Sequence, residues 1–401
     1  MALLVFTGCE ASTDWLMFRG VRGRGGTDNP LRPPLGVKWK LQLQKAGTPA
    51  YAFNNPVIKG DTMYFGATDG NFYALDIDSG YMRWVFKTDG AINSVPYADD
   101  RYVYFGSNDG KAYAVRQEDG TEVWSYQTNR TIQSTFIGED DLILFTSDAG
   151  ATYLFSPEGE LVDEIPNPVW FYHAFQVHDD IMYFAPGPPQ NPRSLGALDL
   201  NYKNYLWTLD QAVDRATWYS FPAVNRQLVF CSTSRPRGGY WEFDYYAIDR
   251  TTGARVWQYQ DESRWGRFMP PDLNELFEQN MKLLDYMAPS LWRDLVIYTS
   301  GDTVVRAFNS RSGTLAWEQR FDVPTSSAPT VAGDRVYVGL REGTNPSDPS
   351  PSRIVCLSAA NGDQMWELET EGDMLNAPVI AGKWLVFGTD EQYFYVLEEL
   401  Y

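Results

Sequence analysis

The sequence predicts an all-β fold: an eight-bladed β-propeller of four-stranded antiparallel blades, its ring closed by an N-terminal strand. Three observations predict it. The stretch FGATDGNFYALDIDSGYMRW, residues 65–84, returns forty residues later as FGSNDGKAYAVRQEDGTEVW, residues 105–124, with its aromatic, Asp-Gly, Tyr-Ala, Gly and Trp positions at unchanged offsets. A Pro or Phe precedes a strand aromatic or Val by nine residues, eight in one case, in eight successive units: Pro56 and Phe65, Pro96 and Phe105, Phe136 and Phe145, Phe175 and Phe184, Pro222 and Phe230, Pro289 and Tyr298, Pro329 and Val338, Pro378 and Phe387. The apolar runs are short and bounded by turn residues, in a chain of 401 residues with 33 Gly, 24 Pro and 15% aromatics.

The elements follow in order. Residues 1–9 end an apolar run in Thr-Gly-Cys, and MALLVFTGCEAS resembles a bacterial lipoprotein signal with Cys9 as the lipidated residue. That resemblance implies export to the periplasm or outer membrane, with membrane contact only through the lipid; the alternative is an untargeted N-terminal stub. Residues 10–35 form a lead-in segment. Its GVRGRGG lacks the Gly-Lys-Ser/Thr ending of a phosphate loop and follows no strand. Arg19, Arg22 and Arg24 there form a basic island expected to lie on the propeller's own carboxylates.

Residues 36–401 form the single propeller. Each unit reads as an inner strand A (NNPVIKG in the first), then B (TMYFGA), C (NFYALD) and D (MRWVF), joined by Asp-Gly or Ser-Gly turns. Such turns need positive φ, which Gly supplies at little cost. Strand D carries Trp84, Trp124, Trp207, Trp257, Trp317 and Trp366, large flat side chains suited to the wedge between blades. The last unit stops at Tyr401 before any such Trp, whereas GVKWKLQL offers Trp39. Strand 36–43 is therefore expected to complete the last blade and remove an open edge.

Composition limits function. With 33 Lys and Arg against 52 Asp and Glu, a net charge of −19, the chain repels polyanions and nucleic acid is not an expected partner. The three cysteines, Cys9, Cys231 and Cys356, form no CxxC pair; Cys231 and Cys356 are expected as buried apolar residues.

The pattern Tyr-Ala-Leu-Asp, a short spacer, Gly and then Trp, in Tyr73 to Trp84 and again in Tyr246 to Trp257, resembles the pyrroloquinoline quinone (PQQ) type propeller repeat. DWLMFRGVRGRGG, residues 14–26, is similar to the lead-in of bacterial proteins with this fold. Two kinds of protein share the repeat: quinoprotein dehydrogenases, which bind PQQ and calcium at the mouth of the ring, and smaller cofactor-free envelope proteins of the BamB type. The BamB-type resemblance implies a protein-binding scaffold.

Residues common to most blades are explained by blade geometry, so function is sought where one blade departs. The Asp pairs at 99–100, 140–141 and 179–180 share one A-to-B turn position, and Asp69 and Asp109 share a B-to-C turn, so all read as frame. Insertions follow strand B in blades 4, 5 and 7, and a longer one spans roughly residues 260–284, including the amphipathic pattern PPDLNELFEQNMKLLDYM. In an up-and-down blade these loops share one face. Partners are expected on that inserted-loop face of blades 4 to 7, against a monomeric propeller.

Two residues before each Pro or Phe marker stand Asn54, Ser94, Ser134, His173, Ser220, Met287, Ser327 and Asn376, read as a mostly polar ring around a water-filled channel. Tyr172, Tyr219 and Tyr286 stand one position earlier, with Trp218, Trp241 and Trp265 on nearby loops. Tyr172, His173, Trp218, Tyr219, Trp241, Trp265, Tyr286, Asn54 and Asn376 are thus the candidate channel-mouth ligand site, able to take a planar or sugar-like ligand. The alternative is packing beneath the inserted loops.

No catalytic residue is assigned. The vicinal Cys-Cys pair of many quinoprotein dehydrogenases is absent, only His173 and His178 are available as imidazole bases, and Gly-x-Ser-x-Gly does not occur. The expected function is a non-catalytic, cofactor-free and metal-free envelope scaffold; a PQQ-dependent dehydrogenase with calcium, or a glycan or small-ligand binding propeller, is the alternative.

Overall fold

Each unit's alternating residues and Gly turns produce one antiparallel meander. In the computed structural model, which describes residues 14–20, 24–42, 55–128, 130–137, 141–147, 151–166, 175–184, 195–209, 218–237, 240–263, 287–343, 350–374 and 376–400, blade 1 consists of Val57–Lys59, Thr62–Gly66, Asn71–Asp76 and Met82–Lys87, in that order from the channel outward. Seven further sheets repeat it. Strand B is buried on both faces in blade 1 (Thr62–Gly66) and blade 3 (Ile143–Ser147) because neighbouring blades cover both sides, whereas strand D alternates and meets solvent.

The ring closes as the sequence predicts. Blade 8 is Val379–Ala381, Trp384–Gly388 and Tyr393–Glu399, and its outer strand is Leu35–Gln42, antiparallel to Tyr393–Glu399. Trp39 Nε1 then donates to the Ile77 carbonyl of blade 1 at 2.8 Å, and the rings of Phe65 and Phe394 meet at 4.6 Å. Among the described residues no helix is long and apolar enough to cross a membrane.

The strand D tryptophans are inter-blade latches. Trp84, Trp124, Trp207, Trp257 and Trp317 each donate from Nε1 to a carbonyl in the next blade's C-to-D turn, those of Gln117, Pro157, Arg250, Ser310 and Ala359. Each ring lies against a Gly of that turn; at Gly313, with φ +70°, a Cβ would come within 2.6 Å of Trp257.

Blade 3 lacks the Trp, and its seam with blade 4 shows what replaces it. Asp163 stands four residues after Gly159, where the other blades place Trp, and Lys203 stands at the facing Gly position with φ 55°. Their side chains form an ion pair, Lys203 Nζ to Asp163 Oδ2 at 2.6 Å. A half-exposed pair contributes under about 1 kcal/mol and is screened by salt. Asp163→Ala is therefore expected to cost less than that, with the cost vanishing near molar salt. The double change Asp163→Trp with Lys203→Gly, which installs the latch and removes a positive φ from a non-Gly residue, is expected to stabilise by about 1–2 kcal/mol; urea unfolding at two ionic strengths reads both.

Two expectations are corrected here. Three serines of the small polar ring, Ser94, Ser220 and Ser327, do not line open water, since they are fully buried. Their hydroxyls turn to strand B, accepting from Gly106 N at 2.7 Å, Ser232 N at 2.8 Å and Gly339 N at 2.9 Å, so they satisfy backbone donors where strand A breaks register. Met287 belongs to the apolar core between blades 5 and 6. The amphipathic pattern ahead of it lies in residues 264–286, outside the described residues.

The second correction concerns the lead-in. Trp15 exchanges two backbone hydrogen bonds with Ile58 at 2.8 Å, Leu16 O accepts from Ala98 N, Phe18 packs on Phe221 at 5.1 Å, and Gly26–Thr27 runs parallel to Val331–Ala332. The segment thus crosses the channel from blade 1 to blade 7. Arg19 sits fully buried in it and reaches no carboxylate among the described residues; it donates to the carbonyls of Pro329 (3.0 Å), Ala288 (2.9 Å) and Pro289 (3.1 Å) and to Ser290 Oγ (2.8 Å). Burial lowers its pKa to about 9, yet inner-strand carbonyls converge on the axis and supply partial negative charge there. The other two arginines do not extend this site: Arg22 lies outside the described residues, and Arg24 is exposed.

Candidate functional site

The face bearing the B-to-C and D-to-A loops is built up on blade 5, and not by a loop as the sequence reading expects. Strand B, Leu228–Arg237, and strand C, Tyr240–Asp249, run ten residues each, and strand D, Arg255–Ser263, nine. The alternation in YWEFDYYAID explains it: Phe243 and Tyr245 enter the core shared with blade 6, while Glu242 and Asp244 take the other side of the strand. Both carboxylates are buried, and Gln260 Nε2 and Gln258 Nε2 donate to them, the latter at 2.9 Å to Asp244 Oδ1.

A charge cluster fastens this raised sheet to blade 6. In blades 1 and 2 the B-to-C turn is held by Tyr73 Oη donating to Asp69 at 2.6 Å and Tyr113 Oη to Asp109 at 2.7 Å, frame contacts as expected. Blade 6 keeps the carboxylate as Asp302 but places Arg306 where the Tyr would stand. Arg306, 2% exposed, bonds Asp302 Oδ2 at 2.8 Å and, from Nε, Asp261 Oδ2 on the blade 5 extension at 2.7 Å, with the Tyr245 ring 5.7 Å away. Burial opposes its charge, but Tyr245, Asp302 and Asp261 outweigh that and hold the guanidinium above its ordinary value. The cluster was legible only by laying blade 6 over blade 1, residue by residue.

The blade 7 insertion is anchored the same way. Asp373 accepts from Glu342 N at 2.7 Å and Ser352 Oγ at 2.6 Å, and its own N–H donates to Asp390 Oδ1 at 2.8 Å. Burial, then the neighbouring Asp373, raises the Asp390 carboxyl above its ordinary range.

Of the candidate mouth residues, Trp218 and Tyr219 pair by backbone with Ser234 and Thr233, and Trp241 with Pro236 and Ser263. These three belong to one extended sheet, so Trp218 and Trp241 do not stand on loops. Asn376 is half-buried just before the inner strand of blade 8. Tyr172, His173, Trp265, Tyr286, Asn54 and Cys9 lie outside the described residues.

Cys231 and Cys356 are unbridged and buried, and burial pushes each thiol up to about 12, which keeps it protonated and unreactive. Among the described residues no three or more His, Cys, Asp or Glu are grouped to hold a metal. Arg306 is paired with two carboxylates, Asp302 and Asp261.

The family model described as "Outer membrane protein assembly factor BamB" matches residues 36–168, 246–344 and 301–400. No curated protein matches. Among solved structures, BamB from Moraxella catarrhalis superposes with a TM-score of 0.63 at 16% identity, over 91% of this chain and 99% of that one. The quinohemoprotein alcohol dehydrogenases from Comamonas testosteroni and Pseudomonas putida HK5 give 0.68 at 13% and 0.64 at 14%, each over 96% of this chain and 80% of theirs. At these identities the structural likeness shows a shared fold.

Proposed function

The chain belongs to the family described as outer membrane protein assembly factor BamB, and on that premise we propose that it is a non-catalytic, cofactor-free scaffold of the bacterial cell envelope. Protein partners dock on the inserted-loop face of blades 4 to 7. The chain is exported to the periplasm or outer membrane, with Cys9 as its lipid anchor. The observation that carries this reading is the blade 5 extension: three long hydrogen-bonded strands locked to blade 6 through Arg306, Asp302 and Asp261. A sheet braced in this way presents a surface whose geometry is set before a partner arrives, which lowers the ordering cost of association.

Capture of the outer-membrane assembly machinery by immobilised protein, wild type against Arg306→Met, tests it. Removing the guanidinium leaves Asp302 buried and unpaired and unhooks the extension, so capture is expected to fall at least about tenfold. Equal capture would sink the docking assignment. A second arm adds PQQ and calcium and reads absorbance and dye-linked alcohol oxidation; stoichiometric binding with turnover would replace the scaffold by a dehydrogenase.

A further inference from the structure

The opposite face, formed by the A-to-B and C-to-D turns, holds a cavity of about 340 Å³ lined by residues from blades 1, 2 and 3 and by Leu16 of the lead-in. Its walls combine Leu16, Ile143 and Pro157 with Tyr97 and the carboxylates Asp99, Asp100 and Asp141. We propose that this cavity is a binding site for a basic side chain, the lysine ammonium or arginine guanidinium of a partner polypeptide.

Tyr97 is the first reason. At the residue after the Pro or Phe marker the other blades carry Val57, Ala223, Thr330 and Val379 among others, so a phenol here is a departure from the frame. Its ring stacks on Tyr104, with centroids 5.8 Å apart. The side chain is only 6% exposed, faces the cavity, and its hydroxyl has no hydrogen-bond partner among the described residues. The hydroxyl opens on the cavity and is available there to a ligand's hydrogen bond. Asp99, Asp100 and Asp141 line the same cavity; burial raises the pKa of Tyr97, and the three carboxylates add to the rise.

The carboxylates are not equivalent. Asp99 is spent on its own turn, accepting from Arg101 N at 2.7 Å, Tyr102 N at 2.6 Å and Tyr104 Oη at 2.7 Å. Asp100 pairs with Lys59 at 2.7 Å, and Lys59 also approaches Asp14 at 3.5 Å. Arg101 pairs with Glu158 at 3.1 Å. Asp141 is exposed, holds φ 59°, and has no polar partner among the described residues. Each cation at the rim is thus already matched, and the site keeps an excess of negative charge.

The cavity's size selects an organic cation. It is about ten times the ~30 Å³ share of one water and falls at the lower end of ligand pockets, so it takes a side chain and its aliphatic stem. Leu16, Ile143 and Pro157 cover the stem, Asp141 faces the charge, and the Tyr97 hydroxyl supplies a further hydrogen-bond partner. A phospholipid amine would bring a phosphate against the same carboxylates, whereas a peptide brings neutral amides; the polypeptide source is therefore favoured. The inference does not rest on docking at the opposite face.

The test is saturation-transfer NMR with the blocked tripeptides Ac-Gly-Lys-Gly-NH2, Ac-Gly-Arg-Gly-NH2 and Ac-Gly-norleucine-Gly-NH2, on wild type, Asp141→Asn and Asp141→Asn with Tyr97→Phe. Asn tolerates positive φ and Phe keeps the ring stack, so both variants are expected to keep the wild-type melting temperature. The lysine and arginine peptides are expected to show transfer at their terminal CH2 groups and norleucine none, with affinity falling about two- to fivefold per group removed. Transfer to norleucine equal to that of lysine, or undiminished binding by the double variant, would overturn the site. Variant-sensitive binding to phosphatidylethanolamine vesicles, without a peptide response, would reassign it to a membrane and overturn the polypeptide source.

Discussion

Replacing Trp257 by alanine is expected to lower the free energy of unfolding by about 3–5 kcal/mol, the range for truncating a buried aromatic. The ring is 8% exposed, packs at 5.9 Å from Phe308 and 6.3 Å from Phe230, and donates to Ser310 O at 2.8 Å. Removal opens the blade 5 to blade 6 wedge and leaves a buried carbonyl without its donor. The facing change, Gly313→Ala, is expected to cost about 2–4 kcal/mol, because a Cβ at φ +70° combines backbone strain with a 2.6 Å approach to the indole. Combined, the two changes should cost clearly less than their sum, since the clash disappears with the ring. Urea unfolding of the three variants checks this; additive losses would mean that the ring and the glycine do not form one latch.

Arg19→Ala is expected to cost about 3–5 kcal/mol, as in other buried charged networks that lose one partner. The guanidinium bonds the inner strands of blades 6 and 7 together through three carbonyls and Ser290 Oγ. Gly25 is shaped around it, since a Cβ there would lie 2.1 Å from Arg19 Nη2. Arg19→Lys is expected to recover less than half of the loss, because one ammonium cannot span both blades as a planar fork does. Unfolding midpoints decide it: an alanine variant within 1 kcal/mol of wild type would mean that the desolvation cost of the buried charge cancels its hydrogen bonds.

Both predictions rest on features with different legibility. The latch can be read in the sequence, because Gly and Trp recur at one spacing and the spacing is local. The same spacing exposes Asp163 and Lys203 as a matched substitution across the blade 3 to blade 4 seam, and Arg306 with Asp302 as a departure from Tyr73 and Asp69. The candidate site was less legible. Trp218 and Trp241 read as loop residues although backbone pairing joins them, with Tyr219, in one sheet, since a long hairpin and an inserted loop share polar, aromatic composition until the alternation is counted. The buried serines were misread because inner-strand position suggests the channel, whereas a shift in register turns the hydroxyl to strand B.

By itself, then, the sequence determined the blade, the number of blades, the turn glycines, the wedge tryptophans and the closing strand, all of which follow from periodicities of two residues and of about forty. Tertiary structure alone decided that the lead-in crosses the channel, that Arg19 meets carbonyls instead of carboxylates, and that Tyr97 faces an acidic cavity on the far side. Those contacts join groups 269 to 310 residues apart for Arg19, or come from three blades and the lead-in for the cavity. A short-range pattern records which residues share a strand; the partner a charge or hydroxyl finds depends on which distant segments the closed ring brings to its axis and its faces.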